Sequence, residues 1–122
     1  MSASEPSGVP TPKLVPNTPQ PIPSQSLSCL DAIYRYWPGD KSQAIAVARA
    51  ESGLRPGAVN YNTDGSVDHG CFQINSVHRA RVNGNLTALY NPETNVRVAY
   101  SIYSEQSWCP WVAARKIGYC NN

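Results

Sequence analysis

Residues 60–76 read NYNTDGSVDHGCFQINS, and the fold that we expect follows from the turn and strand signals in this segment. The Asn-Thr-Asp-Gly run at positions 62–65 is typical of a tight turn, because Asn, Asp and Gly tolerate the backbone angles that such turns need. The residues on both sides of the turn, within 58–74, read as short strands. The sequence therefore predicts a small antiparallel hairpin here.

Helix signals surround this hairpin. Ser28 is a predicted N-cap of a helix over residues 29–36, which the Trp-Pro-Gly run at 37–39 ends. Asp40 is predicted to open a second helix over residues 41–52, with Gln43 as its capping-box partner and Gly53 as its C-terminal stop.

Three more helical segments follow the hairpin. Residues 86–90 read as one helical turn, Asn91 and Pro92 start an amphipathic helix that runs to about Glu105, and Pro110 opens a last short helix. The predicted fold class is α+β, a mostly helical body with a small antiparallel sheet. We expect a ligand in the cleft between the two.

The first 26 residues differ in composition from the rest of the chain. Seven of the eleven prolines lie there, without any aromatic residue. Such a segment cannot bury enough apolar surface to offset its conformational entropy. We therefore predict a Pro-rich disordered linker over residues 1–26 and one folded domain over residues 27–122.

Several classes of function are disfavoured. The formal charge is only +2, there is no Lys/Arg run, and no glycine-rich phosphate loop occurs. Nor is there a run of about 18 apolar residues that could cross a membrane. We expect neither a nucleic-acid partner nor a membrane span in this chain, and we expect a monomer without a cofactor.

The cysteine pattern indicates the compartment. The chain has four cysteines: Cys29, Cys71, Cys109 and Cys120. Two disulfides in an exported domain are the favoured interpretation, with free buried thiols or a metal site that includes His69 and His78 as alternatives. Spacing does not determine the pairing, although Cys29–Cys71 with Cys109–Cys120 is preferred. No export signal is visible, so we expect it to have been removed or the domain to be delivered by another route.

Glu51 is the first of two carboxylates in an unusual setting. It shares a helix face with Val47 and Ala48, and it lies in the last turn, where the helix dipole disfavours a negative charge. Both effects predict a raised pKa, as a general acid needs. The alternative is an ordinary solvated glutamate.

Asp68 is the second, because Asp is depleted in strands and yet stands inside one here. Gly70 nearby indicates that another group approaches the backbone closely. The alternative is an edge-strand aspartate that hydrogen-bonds its own hairpin. A carboxylate on a helix end facing another on a sheet is the apparatus of glycoside hydrolysis.

The same residues resemble a known family. Residues 60–76 are similar to the signature N-x-N-T-D-G-S-x-D-x-G-x-x-Q-I-N-S of chicken-type lysozymes, Glu51-Ser52 resembles their catalytic Glu-Ser pair, and Trp111-Val112-Ala113 resembles their W-V-A segment. The 17-residue separation of Glu51 from Asp68 also matches that family. The resemblance implies a lysozyme-like fold.

Roles follow from this resemblance alone, since lysozyme is itself the standard example of the mechanism. It implies that Glu51 is the general acid and later the base, and that Asp68 is the nucleophile or electrostatic partner. It also implies that Trp111 packs against Glu51 and keeps it protonated.

The remaining roles concern substrate binding. The resemblance implies that Asn62 and Gln73 orient Asp68 and the sugar, and that Asn75 hydrogen-bonds an N-acetyl group. The implied activity is that of a muramidase, a secreted or cell-envelope glycosidase that hydrolyses the β-1,4 bond between N-acetylmuramic acid and N-acetylglucosamine in peptidoglycan strands.

Two alternatives stay open. Residues 91–96, NPETNV, look more like the soluble lytic transglycosylases, which use one Glu and release anhydromuramic products. A non-catalytic wall-binding or calcium-binding relative is the third interpretation, although such relatives typically lose one of the two carboxylates. The biological role, from defence to wall remodelling, is not indicated.

The chain departs from the chicken-type pattern at His78-Arg79, where that family has a Trp-Trp pair that stacks on sugars. His78 is predicted to be a loop residue and His69 a strand residue that faces away from Asp68. Arg79 and Arg81 are predicted either to meet acidic stem peptides or to lie in a solvated loop. The cysteine positions differ too, so the family's disulfides do not transfer.

Overall fold

The computed structural model describes residues 27–120, so the predicted linker at 1–26 lies outside it. Its elements, in chain order, are α1 Cys29–Tyr36, α2 Ser42–Ser52, β1 Val59–Tyr61, β2 Val67–His69, β3 Ile74–Asn75, the 3-10 segments Ser76–Val82 and Leu86–Tyr90, α3 Pro92–Gln106 and α4 Val112–Ile117. The α+β class, mostly helical with a small antiparallel sheet, is confirmed.

Most helix boundaries follow the predicted capping residues. The Ser28 hydroxyl accepts a hydrogen bond from the Asp31 amide at 2.9 Å. Gly53 ends α2 with φ +66°, a left-handed angle that glycine adopts without steric cost. At the start of α3, the Asn91 side chain accepts from the amide of Glu93. The last helix begins at Val112, with Trp111 as its N-cap, slightly later than Pro110 predicts.

The predicted capping box of α2 is wrong. Asp40 Oδ1 accepts from the Ser42 amide at 2.9 Å, which satisfies one donor at the helix start. The Gln43 side chain does not bind the cap, because its Oε1 accepts a hydrogen bond from the indole N–H of the distant Trp108 at 3.0 Å. A buried indole needs an acceptor, so a tertiary contact takes the side chain that the local pattern assigned to the cap.

The sheet has the strand order β1-β2-β3, with both pairs antiparallel. Asp68 stands on the central strand, opposite Asn60 on β1 and Asn75 on β3. The alternative interpretation of Asp68 is therefore wrong about the edge strand, whereas the hydrogen bonds to its own hairpin that it predicted are present. The Asp68 side chain has a strand on each side, which supplies polar neighbours that an edge position would lack.

An aromatic cluster forms the centre of the helical body. Trp37 is 4% exposed and stacks on both Phe72 and Trp108, with ring centroids 5.6 and 5.3 Å apart. Tyr100 and Tyr103 from α3 pack on the same indole. Aromatic side chains bury large apolar areas, so this cluster gives a domain of this size much of its stability.

Both preferred disulfides are present, Cys29–Cys71 and Cys109–Cys120. The free-thiol and cysteine-metal alternatives are therefore wrong. Cys29–Cys71 joins α1 to the segment after β2, and Cys109–Cys120 brackets α4. Across residues 27–120, no helix is both long and apolar enough to span a bilayer.

Candidate active site

A cleft of about 510 Å³ separates the helical body from the hairpin. Its wall includes all six residues that the sequence proposed for catalysis or substrate binding: Glu51, Asn62, Asp68, Gln73, Asn75 and Trp111. Four of them lie between residues 62 and 75, whereas Glu51 comes from the end of α2 and Trp111 from the start of α4. Folding thus brings three separate parts of the chain to one surface.

Glu51 is half-buried in the last turn of α2. Burial raises the pKa of its carboxyl group, and the negative charge of Asp68 raises it further. The backbone amide of Ala113, which donates to Glu51 Oε2 at 3.1 Å, opposes this rise. The predicted direction of the shift is confirmed, and burial is its largest cause.

The Asp68 carboxylate is held by two amide side chains. Asn75 Nδ2 donates to Oδ1 at 2.9 Å, and Asn62 Nδ2 donates to Oδ2 at 3.2 Å. Both amides also donate to the hydroxyl of Ser66, at 3.0 and 3.1 Å. Each carboxylate oxygen therefore has a donor within the hairpin, which fixes the orientation of the group toward the cleft.

Gln73 differs from its expected role. Its Nε2 donates to the carbonyl oxygens of Ala58 and Gly70, both at 3.1 Å, so this amide braces the hairpin backbone. The two asparagines orient Asp68, including Asn75, which the resemblance assigned to an N-acetyl group. The Gln73 side chain is 8% exposed. Buried carbonyl groups without a hydrogen bond would cost free energy, so the amide of Gln73 binds the two carbonyls beside it.

Trp111 connects the two sides of the cleft. Its side chain is 5% exposed, and its indole N–H donates to the carbonyl of Phe72 at 2.9 Å. Its ring packs edge-on against Phe72 and Trp108. Trp111 therefore contributes an apolar floor to the cleft that Glu51 also lines, and its hydrogen bond fixes that floor to the hairpin.

The sequence assigned no contacts to two polar residues behind the site. The Ser52 hydroxyl, next to Glu51, donates to the carbonyl of Cys71 at 2.7 Å. Asn95 is fully buried: its Oδ1 accepts from the Phe72 amide, and its Nδ2 donates to the carbonyls of His69 and Leu89, all at 2.8 Å. Periodicity assigned Asn95 only to a helix, and no local signal revealed its partners.

The close approach predicted at Gly70 is confirmed. Gly70 has φ +75°, and a Cβ added there would overlap Leu89 O and Asn95 Nδ2. Only glycine lets the chain turn between β2 and Cys71 while α3 lies directly against it.

The prediction that His78 is a loop residue is wrong, because the chain forms a 3-10 segment there. His78 lies in the 3-10 segment Ser76–Val82, and its half-buried ring lines the cleft. Arg81 pairs with Glu105 at 2.7 Å, so its guanidinium is engaged within the domain, whereas Arg79 is exposed. His69 is buried, as a strand residue facing away from Asp68 should be, with Nδ1 2.9 Å from Ile74 O.

Carboxylates and amides line the cleft, and they do not form a metal-binding group. Within residues 27–120, no three His, Cys, Asp or Glu side chains come together to hold an ion. The arrangement offers one carboxyl with a raised pKa, one oriented carboxylate and an apolar floor. Chemically, this set can donate a proton to a leaving oxygen on one side while a negative charge faces the developing cation on the other.

Known proteins share this architecture. Residues 37–113 match the family model described as "Lysozyme like domain". A crystal structure of a lysozyme from Litopenaeus vannamei superposes with a TM-score of 0.59 at 20% identity, covering 73% of this chain and 84% of that chain. At this identity the superposition establishes the fold alone.

Curated relatives match a shorter part. Invasion protein IagB of Salmonella typhimurium and of Salmonella typhi is 41% identical over 64 residues, 49% of this chain and 40% of each relative. The chain thus spans less than half the length of these relatives. The family model covers more than half of the chain, and the lysozyme-like fold agrees with it. The chain therefore belongs to the lysozyme-like domain family.

Proposed function

We propose that this domain is a muramidase that hydrolyses the β-1,4 bond between N-acetylmuramic acid and N-acetylglucosamine of peptidoglycan. The observation that carries the proposal is the pair of unlike carboxyl groups in one cleft. Burial favours the protonated form of Glu51, and two amide donors orient the carboxylate of Asp68. An acid and an oriented carboxylate are the two groups that glycoside hydrolysis needs.

The contacts of Glu51 favour one position for its proton. The Ala113 N–H can only donate, and it points at Oε2. The proton of the acid form is therefore favoured on Oε1, which leaves that oxygen to protonate the glycosidic oxygen. After the leaving sugar departs, the same oxygen accepts a proton from the attacking water.

Asp68 faces the anomeric carbon in this mechanism. Its negative charge stabilises the oxocarbenium-like transition state, or its oxygen attacks to form a glycosyl-enzyme intermediate. The donors on both oxygens hold the group before substrate arrives, so less reorganisation is needed during the reaction.

A lytic transglycosylase is the second candidate. Both oxygens of Asp68 accept hydrogen bonds inside the hairpin, as those of a purely structural aspartate would. In that case Glu51 acts alone, and the 6-hydroxyl of the muramic residue replaces water and closes an anhydro ring.

Mass spectrometry of the products released from purified peptidoglycan distinguishes these reactions. Muramidase activity gives reducing muramic ends with one water added, and transglycosylation gives anhydro ends that lack it. We expect reducing ends. Anhydro ends alone would contradict the hydrolase assignment, and no release from several wall types would favour a non-catalytic wall-binding module.

The variant Asp68→Asn tests the second carboxylate. We expect its rate of release to fall by about 10²-fold or more, because the charge facing the transition state is lost. Asp31→Asn is the matched control, since Asp31 is exposed at the start of α1 and lies outside the cleft. An unchanged rate in Asp68→Asn would favour the transglycosylase.

The remaining proposals concern the context of the domain. We propose that residues 27–122 form the catalytic domain, that residues 1–26 form a linker, and that the domain works as a monomer. An extracytoplasmic location is supported by the two disulfides, which persist in oxidising compartments, and by the proposed wall substrate. A secreted antimicrobial role is one use of this chemistry among several.

A further inference from the structure

Helix α4 contributes one backbone group to the candidate acid. The amide of Ala113, in the first turn of α4, donates to Glu51 Oε2 at 3.1 Å. An N–H donor on Oε2 leaves the proton of the acid form on Oε1, the oxygen that protonates the leaving group. The orientation of the Glu51 carboxyl therefore depends on where α4 lies.

The helix is too short to hold its own position. It has six residues, whereas isolated helices shorter than about 12–15 residues are marginal in water. Ala114 is buried, but Val112 and residues 115–117 are exposed. Arg115 Nη1 donates to the Cys109 carbonyl at 2.6 Å, yet this bond is exposed and water competes for it. The position of α4 consequently depends on what holds its two ends.

The Cys109–Cys120 disulfide closes the loop that contains α4. It joins the segment before the helix to the segment after it and brings their Cα atoms to 4.8 Å across 11 positions. Trp111, the N-cap of α4, is 5% exposed and keeps the start of this loop in the core. A cross-link restricts the conformations of the loop that it closes. The disulfide therefore returns the far end of α4 to the same place and limits the movement of the helix.

The two disulfides of the domain differ in exposure. Cys29 and Cys71 are 0% and 1% exposed and belong to the hydrophobic core. Cys109 and Cys120 are each partly exposed. Thiol–disulfide exchange requires a thiolate to reach one of the two sulfur atoms, so a reductant in solution attacks the accessible bond first. Mild reduction should therefore open Cys109–Cys120 while Cys29–Cys71 stays closed.

We propose that the Cys109–Cys120 disulfide positions the acid, because it holds α4 so that the Ala113 N–H stays on Glu51, and that its reduction reversibly lowers the rate of glycan cleavage. Cys109 and Cys120 are positioning residues, since they act through Ala113. The inference rests on the proposed function, because the rate that it concerns is that of the proposed reaction.

Reduction by a dithiol such as dithiothreitol is a two-electron exchange. A thiolate of the reductant attacks one sulfur of the pair, the bond between Cys109 and Cys120 breaks, and a mixed disulfide forms. The second thiol of the reductant then attacks the mixed disulfide. The reductant leaves as a cyclic disulfide, and the two cysteines become thiols with the two protons that the reductant gave up.

Opening the cross-link should affect the acid more than the fold. The loop that contains α4 then has more conformations, and the Ala113 N–H spends less time on Glu51. The Cys29–Cys71 bond and the aromatic core remain, so the far-ultraviolet circular dichroism should be nearly unchanged. We expect the rate to fall by about tenfold, because one hydrogen bond to the reacting carboxyl group is lost.

The rate of product release from purified peptidoglycan, measured with the full chain, tests the proposal. The protein is compared as isolated, after mild reduction and alkylation, and after reduction and reoxidation. Peptide mass mapping should find the alkyl groups on Cys109 and Cys120, and reoxidation should restore the rate. The double variant Cys109→Ser with Cys120→Ser should cleave at the reduced rate and should not respond to the reductant.

The variant Ala113→Pro separates positioning of the acid from general loosening. Proline removes the N–H and is tolerated in the first turn of a helix, where the amide has no helical partner. We expect about a tenfold lower rate in the oxidised variant and less than a twofold further loss on reduction, because both changes remove the same contact. Ile117→Ala is the matched control, since Ile117 is exposed on the same helix and the full tenfold response should persist.

Each failure has its own interpretation. If the oxidised parent releases nothing, the proposed function is overturned. If it cleaves and the reduced, alkylated parent cleaves equally fast, only the positioning role is overturned. Losses from Ala113→Pro and from reduction that multiply would show that the disulfide does not act through Ala113. A double serine variant that still loses activity with the reductant would assign the response to Cys29–Cys71 and also contradict the proposal.

Discussion

Each side of the cleft carries one carboxyl group, but different interactions surround the two groups. Glu51 stands at the end of α2, a helix that places Val47 and Ala48 in the hydrophobic core, and burial dominates the pKa of its carboxyl. Asp68 stands on a sheet of short strands, β1 being exposed along its length, and hydrogen bonds from two asparagines hold it. Burial therefore sets the pKa of Glu51 on one side, and a polar network sets the orientation of Asp68 on the other.

The two sides are joined by a few long-range contacts. Ser52 and Trp111 of the helical side each donate to a carbonyl of the hairpin side, Cys71 and Phe72. Asn95 binds three backbone groups around Gly70. Because the hairpin is too small to be stable alone, these contacts fix the distance between the two carboxyl groups.

The largest expected effect is on the helical side, where Glu51→Gln removes the acid. We expect the rate of peptidoglycan cleavage to fall by about 10³-fold or more, equivalent to about 4 kcal/mol. The amide oxygen still accepts from Ala113, so the fold should persist by circular dichroism.

Glu93→Gln is its matched control, because Glu93 lies on α3 outside the cleft and pairs with Arg97. If Glu51→Gln keeps most of its activity, the assignment of Glu51 as the acid is wrong.

The second effect concerns the junction between the two sides. Asn95→Ala leaves the Phe72 amide and the His69 and Leu89 carbonyls without their buried partner. We expect the free energy of unfolding to fall by about 3 kcal/mol, measured by denaturant titration. Gln106→Ala at the exposed end of α3 should change it by less than about 0.5 kcal/mol. Equal effects of the two variants would show that Asn95 does not join the two sides.

A smaller effect separates the two amides of the hairpin side. Asn75 is half-buried and contacts Asp68 at 2.9 Å, whereas Asn62 is exposed and contacts it at 3.2 Å. We therefore expect kcat/KM to fall by about tenfold in Asn75→Ala and by about threefold in Asn62→Ala. The reverse order, with melting temperatures unchanged, would contradict the polar network described for Asp68.

The smallest effect is on stability and belongs to Glu51. Its pKa is raised on folding, so the folded state keeps the proton at a pH where the unfolded chain has lost it. The contribution of Glu51 to the free energy of unfolding therefore falls as the pH rises from about 4.5 to the raised pKa. Above that pKa this contribution is constant.

In consequence, Glu51→Gln should be slightly more stable than the parent at pH 7 and equal to it at pH 4. Because the carboxyl is only partly buried, solvent screening limits this gain to about 1 kcal/mol or less. Thermal melts at the two pH values measure it. A variant that is less stable at pH 7 would contradict the role of burial.

Local patterns determined much of this protein. Helix caps such as Ser28 and Asn91, the turn at residues 62–65 and the period of α3 each depend on neighbours within a few positions. The raised pKa of Glu51 was predictable for the same reason, because an apolar helix face shows in the sequence. The helix and hairpin signals predicted the α+β class, and the motif around the two carboxylates indicated the lysozyme-like fold.

The partners of the polar side chains depend on tertiary packing. Gln43 binds Trp108, 65 positions away, and Ala113 donates to Glu51 across 62 positions. Gln73 braces the hairpin, while Asn75 holds Asp68. Residue type limits which hydrogen bonds a side chain can make, but the partner is whichever buried group packing leaves unsatisfied. The sequence therefore determined which groups the site contains, and folding determined how they are oriented.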